Sequence, residues 1–227
     1  MSRTASKFAL GLLLAPALLA ASIAQAHQAG DIIVRAGAIT VDPREDSSGV
    51  KHNTLGNLGG KATLDSDTQL GLNFAYMLTE KVGIELLAAT PFSHDVDLKG
   101  LGGGLDGKLG DIKHLPPTLS VVYYPLNNQS AFQPYVGAGI NYTTFFDEGL
   151  SSKRKENGFS GLDLDDSWGL ALQVGADYML DERWMVNAQV RYIDIDTTGK
   201  TSLNGDRVKV DVDVDPFVYM VGLGYKF

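Results

Sequence analysis

The closing nine residues, 219–227, constrain this chain more than any other stretch. They read Y-M-V-G-L-G-Y-K-F. Tyr219, Val221, Leu223, Tyr225 and Phe227 therefore share one face of a strand, and Met220, Gly222, Gly224 and Lys226 the other. One face is apolar enough for hydrocarbon, the other is small or polar, and the run stops on an aromatic. A strand ending a soluble domain usually trails off in polar residues. The pattern predicts the closing strand of a membrane β-barrel, whose outer face is apolar and whose inner face packs a small lumen.

The same period of two recurs upstream. Stretches 31–41, 68–78, 82–89, 118–124, 132–146, 168–180 and 184–192 alternate in this way, making eight with the last. In the second, Leu70, Leu72, Phe74, Tyr76 and Leu78 oppose Gln69, Gly71, Asn73, Ala75 and Met77. Connections 79–81, 126–130 and 181–183 are short, whereas 42–67, 93–117, 147–166 and 197–207 are long and polar or glycine-rich. Short turns at one end and long loops at the other is the layout of outer-membrane barrels. Aromatic residues gather towards both strand ends, as interfacial girdles require. The expected fold is an all-β, eight-stranded antiparallel up-and-down transmembrane β-barrel. A soluble lipocalin-like barrel also has eight such strands, but its apolar set points inwards. Here Arg35, Glu85, Asp177 and Arg191 fall on the inward set, which favours the membrane barrel.

At the other end of the chain, Arg3 and Lys7 precede an apolar run from Phe8 to Ile23, and Ala24-Gln25-Ala26 forms a small-x-small cleavage site. Residues 1–26 therefore read as a secretory signal peptide and 27–227 as one barrel domain. The full chain carries 19 basic and 27 acidic residues, a net charge of −8; losing Arg3 and Lys7 makes it −10. An acidic chain without a basic patch argues against nucleic acid as a partner. Cysteine is absent, which excludes disulfides and thiolate metal sites; a closed barrel, pairing every backbone group, supplies stability instead. Mean hydropathy of −0.03 fits a barrel, because outward and inward residues cancel in the average.

From the start of the mature chain to its end, the sequence resembles the OmpW family of eight-stranded outer-membrane proteins. The resemblance is carried by Ala29-Gly30-Asp31, Asp65-Ser66-Asp67-Thr68-Gln69-Leu70-Gly71, Ala89-Thr90-Pro91-Phe92, Pro134-Tyr135-Val136-Gly137, Phe145-Phe146-Asp147 and Val212-Asp213-Val214-Asp215-Pro216. It implies a narrow barrel in the cell outer membrane that passes small, mostly hydrophobic molecules, through an apolar funnel that empties sideways. It implies no enzymatic activity.

Eight strands enclose an interior just wide enough to be filled by side chains, which excludes a wide aqueous pore. By strand parity, Ile39, Val41, Leu87, Ala89, Phe145, Val212 and Val214 line an apolar funnel near the long loops, provided that no bulge interrupts the last strand. Val208 and Val210 share that parity, while Asp211, Asp213 and Asp215 face out. Lower down, Arg35, Glu85, Asp177 and Arg191 converge with Asn73, Gln173 and Gln189. Two readings stand for them: a polar plug, and the salt-bridged core common to small barrels. Pro91 ends the third stretch and Pro116-Pro117 opens the fourth. Proline gives no N–H to a ladder, so these residues either open the wall laterally or only shape the loop between them.

Other motifs carry less. Gly102, Gly104 and Gly107 spell G-x-G-x-x-G, and Gly102 to Lys108 spells G-x-x-x-x-G-K. Neither follows a βα pattern, and Leu109 stands where a phosphate loop needs Ser or Thr, so a flexible loop without nucleotide is expected. His27, His52, His94 and His114 lie at the mature terminus or in loops without ligand spacing, and neither a metal nor a cofactor is expected. The acidic Asp163, Asp165, Asp166, Asp194 and Asp196 read as solvated strand ends, or as carboxylates that meet lipopolysaccharide through divalent cations. No nucleophile set supports an enzyme. The expected function is passive outer-membrane uptake of small hydrophobic or weakly polar molecules. Expected partners are outer-membrane lipid, lipopolysaccharide and, during insertion, the barrel-assembly machinery; Tyr219, Val221, Leu223, Tyr225 and Phe227 form the insertion signal. Two rival readings are a channel for small polar solutes such as amino acids or cations, and a non-transporting anchor for adhesive or receptor loops.

Overall fold

Period-two alternation lets a strand bury one face and expose the other, and the chain repeats that solution throughout. A computed structural model describes residues 26–102 and 104–227; the signal-peptide reading falls outside these, Ala26 excepted. In chain order the strands are β1 (Ile32–Asp42), β2 (Asp46–Ser47), β3 (Lys51–His52), β4 (Gly56–Asn57), β5 (Lys61–Leu64), β6 (Asp67–Met77), β7 (Val82–Ala89), β8 (Phe92–Lys99), β9 (Gly107–Leu115), β10 (Thr118–Tyr123) and β11 (Phe132–Leu150). A short helix α1 (Ser152–Glu156) is followed by β12 (Phe159–Leu164), β13 (Ser167–Met179), β14 (Trp184–Ile193), β15 (Asp196–Leu203), β16 (Asp206–Asp213) and β17 (Phe217–Lys226).

Eight of these close into an antiparallel barrel in the order β1, β6, β7, β10, β11, β13, β14, β17, with β17 returning to β1. The closing seam runs without a bulge from Ile33 opposite Lys226 to Asp42 opposite Phe217. The tight turns are set locally. Thr79 Oγ1 accepts the N–H groups of Lys81 and Val82, and Asp181 Oδ1 accepts those of Arg183 and Trp184. On the outer face, Leu70, Phe74, Leu86, Val121, Ile140, Leu172, Val186, Val221 and Leu223 are exposed, as a band facing hydrocarbon requires. Of the last strand's outward set, Phe227 is 72% exposed and Tyr219 39%.

The four long connections differ from expectation. They are not plain loops but carry β2–β5, the β8–β9 hairpin, α1 with β12, and the β15–β16 hairpin. Upper β11 pairs with β9, which continues through β8 to β5; β12, β15, β16, β3 and β4 form a second sheet. Glycine and aspartate density suggested loops, yet the alternation persists: Phe92, His94, Val96 and Leu98 are buried between more exposed neighbours. Residues 208–227 are also not one strand. Val214-Asp215-Pro216 separates β16 from β17, and Asp215 has φ +38°. The break leaves the parity intact: Val208, Val212 and Val214 remain buried, and Asp211 and Asp213 exposed.

Candidate functional site

The interior is layered along the barrel axis. At the short-turn end, Ile33, Met77, Val122, Met179 and Met185 form a small apolar cluster with Tyr124 and Tyr135. Above it lies the polar set. Strand parity turns Arg35 (β1), Glu85 (β7), Asp177 (β13) and Arg191 (β14) inwards, and all four are essentially inaccessible. The structure brings them together. Arg35 Nη2 lies 2.6 Å from Asp177 Oδ2 and Arg35 Nη1 3.3 Å from Glu85 Oε2, while Arg191 Nη2 donates to Glu85 Oε1 at 2.7 Å. Gln173 links the two halves, donating to Glu85 Oε1 at 2.9 Å and accepting from Arg191. Asn73, Asn187, Tyr124 and Tyr135 take further hydrogen bonds from or give them to this network. Every carboxylate is thus paired, as burial in a low dielectric demands.

The sequence reading placed His27 outside any constellation, but it is buried in this layer. Its ring packs on Tyr124 at 4.5 Å between centroids, and Nε2 lies 3.2 Å from Asp177 Oδ2, at ion-pair distance but off the hydrogen-bond line. His52, His94 and His114 are likewise buried and not loop residues in solvent. His52 Nδ1 accepts the N–H groups of Thr54 and Leu55, so it caps a turn.

Above the polar layer the character reverses. Ile39, Val41, Leu87, Val212 and Val214 belong to one large apolar cluster, with Ala89 and Phe145 packed against it. An apolar cavity lies higher still. Phe145, Val212 and Val214 line it, whereas Ile39, Val41, Leu87 and Ala89 do not. Most of its wall comes from the long connections, through Leu98, Leu109, Phe159 and Leu164 on their strands and Val50 and Leu101 between strands. The signal for them was present in the alternation of 92–98. A smaller and much narrower cavity sits beside it, sharing Leu64, Phe145 and Val214 and reaching Val41, His94 and His114.

The three prolines flank one discontinuity in the wall. The β7–β10 ladder runs up to Leu87 opposite Thr118, and the β8–β9 ladder starts with Phe92 opposite His114. No ladder pair joins residues 88–91, which include Pro91, to residues 115–117, which include Pro116 and Pro117. On the far side β11 still pairs with both segments, at Asn141 opposite Thr118 and at Thr144 opposite Leu115. The gap is therefore local to one seam of the barrel.

The acidic residues do not form one group. Asp194 and Asp196 meet Asp215, their carboxylate oxygens within 4.8 Å of one another, and burial together with the neighbouring acids raises the Asp196 carboxyl from its ordinary value. Asp165 instead pairs with Lys200, and Asp166 accepts from Tyr142. Gly102 and Gly104 lie in the β8–β9 turn, while Gly107 begins β9, which is not a phosphate-loop setting.

A closed barrel of eight antiparallel strands with an apolar outer band and a paired polar interior defines an outer-membrane β-barrel protein. The chain belongs to the OmpW family, whose profile matches residues 28–227. It is 48% identical over 214 residues to Outer membrane protein W of Escherichia coli K12, covering 94% of this chain and 96% of that protein. It superposes on the crystal structure of OprG from Pseudomonas aeruginosa with a TM-score of 0.85 and 58% identity, covering 89% of this chain and 98% of the other. It is also 27% identical over 169 residues to the dibenzothiophene metabolism operon protein PahQ of Pseudomonas aeruginosa, covering 74% and 76% of the two chains. Like Outer membrane protein W and OprG, it is a protein of the outer membrane.

Proposed function

We propose that the protein passively admits small hydrophobic or weakly polar molecules, which enter the apolar cavity above the membrane and leave sideways into the bilayer. The observation that carries this reading is the conjunction of an apolar chamber, a paired polar layer beneath it, and a ladder gap that starts next to His114 in the wall of the adjoining smaller cavity. An apolar solute gains by entering the chamber, since each buried CH₂ is worth about 0.8 kcal/mol. It would lose that gain by displacing the hydrogen-bonded charges of Arg35, Glu85, Asp177 and Arg191. The gap bounded by Pro91, Pro116 and Pro117 offers a route with no ladder hydrogen bonds to break. The operon name of PahQ points to an aromatic, apolar compound as a substrate context for a relative. The same paired layer speaks against a through-channel for amino acids or cations. Residues 1–26 serve as the cleaved leader, lipopolysaccharide surrounds the outer rim, and the outward set from Tyr219 to Phe227 is the signal read by the assembly machinery.

The test replaces Pro91 with Val, which restores an N–H donor and a β-branched side chain at the gap. Uptake of an alkane by outer-membrane vesicles with a lipopolysaccharide leaflet should fall several-fold while the folded barrel persists. Unchanged uptake would place the exit elsewhere.

A further inference from the structure

The smaller cavity has ten lining residues, and only His94 and His114 among them carry polar side chains. The two rings face each other across the β8–β9 hairpin, with centroids 4.9 Å apart and Nε2 atoms 2.9 Å apart. Their tautomers follow from the surroundings. His94 Nδ1 lies 2.6 Å from the backbone carbonyl oxygen of Asp65, which can only accept, so the proton is on Nδ1. With both rings neutral, His94 Nε2 is then an acceptor, and His114 Nε2–H must donate to it. The remaining nitrogen, His114 Nδ1, holds a bare lone pair. It is buried and has no hydrogen-bond partner among the described residues.

An unsatisfied buried acceptor is costly and unusual in a folded protein. This one has a specific location. Phe92 opposite His114 is the first ladder pair above the wall gap, and the His114 ring is held between Phe92 and Phe145 at centroid distances of 5.4 and 5.8 Å. Burial and the neighbouring His94 push the His114 imidazole down to about 3, so that ring stays uncharged at neutral pH. The group beside the gap is therefore a neutral acceptor in an aromatic and aliphatic setting, with no donor among the described residues to satisfy it.

We propose that His114 Nδ1 is a specificity-determining acceptor for the single O–H or N–H donor of an otherwise apolar solute, such as an aliphatic alcohol or a phenol, as it passes from the chamber to the gap. This rests on the lateral-uptake reading given above. A hydrocarbon passes the same point without the hydrogen bond, whereas an alcohol completes it and is favoured. A site that offers an acceptor discriminates by leaving it unmatched when the wrong solute is present.

The experiment compares octanol with octane at pH 8 in outer-membrane vesicles carrying the wild-type protein, His114→Phe or His114→Gln, with heat-modifiable electrophoretic mobility as the check on folding. Phe keeps the aromatic packing and removes the acceptor; Gln restores one. Octanol uptake should fall about five-fold in His114→Phe, the loss of one net hydrogen bond, recover in His114→Gln, and leave octane uptake unchanged throughout. Equal losses for both solutes, or undiminished octanol uptake in His114→Phe, would overturn the assignment. Uptake of neither solute by the wild-type protein above protein-free vesicles would instead defeat the channel reading. A second measurement does not depend on transport or on a variant. In the ¹⁵N spectrum of the wild-type histidine rings, the His114 Nδ1 resonance should move on titration with octanol and not with octane; an unmoved resonance would also refute the proposal.

Discussion

Removal of the Glu85 carboxylate gives the sharpest test of how the barrel interior is held together. Glu85 accepts from Arg191 Nη2 at 2.7 Å, Gln173 Nε2 at 2.9 Å and Arg35 Nη1 at 3.3 Å, and none of it reaches solvent. In Glu85→Leu, Arg35 keeps Asp177, Asn73 and Tyr124 as partners. Arg191 keeps only the amide oxygens of Gln173 and Gln189, with no carboxylate. A buried guanidinium deprived of its counter-ion costs roughly 3–5 kcal/mol. With a urea dependence of about 2 kcal/mol per molar, the unfolding midpoint should fall by about 2 M. Trp168 and Trp184 both lie on the outward face, so their fluorescence reports departure from the lipid during reversible unfolding in vesicles. The double variant Glu85→Leu/Arg191→Met replaces the pair by apolar groups of similar size and should recover most of the loss, because a well-packed apolar substitute for a buried pair is often neutral. A single-variant loss below about 1 kcal/mol, or a double variant no better than the single, would show that water reaches this layer and that it does not seal the barrel.

Three further outcomes follow from the same geometry. Leu172→Arg, at a position 59% exposed in the middle of β13, should destabilise the inserted barrel by about 2–4 kcal/mol in bilayers, read from the shift in unfolding midpoint. Gly37→Val should prevent closure, because a Cβ there would overlap the Val221 carbonyl oxygen across the β1–β17 seam; the folded fraction on unheated gels measures it. The depressed titration of His114 makes the folded state bind fewer protons than the unfolded state between about pH 6.5 and 3, so stability is present above pH 6.5 and falls as pH is lowered through that window. Hydrogen exchange in the β8–β9 hairpin should show a loss of about 2 kcal/mol of protection free energy between pH 6.5 and 5, which His114→Phe abolishes.

What was legible in the sequence was parity. A strand has a strict period of two, so once Arg35, Glu85, Asp177 and Arg191 were assigned opposite to the aromatic and aliphatic sets, their inward direction followed from local geometry alone. The same logic placed Val212 and Val214 inside, and it survived the break at Asp215 because residue spacing across the break kept the faces in phase. Length and turn chemistry did the rest for the eight barrel strands, as Thr79 and Asp181 illustrate.

Parity says which way a side chain points, but not what stands opposite it across the lumen. That Arg35 meets Asp177 across 142 residues, or that His27 reaches the same carboxylate, depends on register and barrel closure, which are long-range properties. The extracellular strands were read as loops because glycine and aspartate interrupt them, and their pairing is settled only by neighbours such as upper β11. The prolines marked a place where hydrogen bonding would fail. Only the tertiary structure decided that all three border a single gap, with the paired histidines at its upper edge. Alternation thus determined the barrel and its two faces, whereas the cavity, the paired polar layer and the ladder gap arose from contacts between strands far apart in the chain, where side-chain packing and paired charge choose the partners.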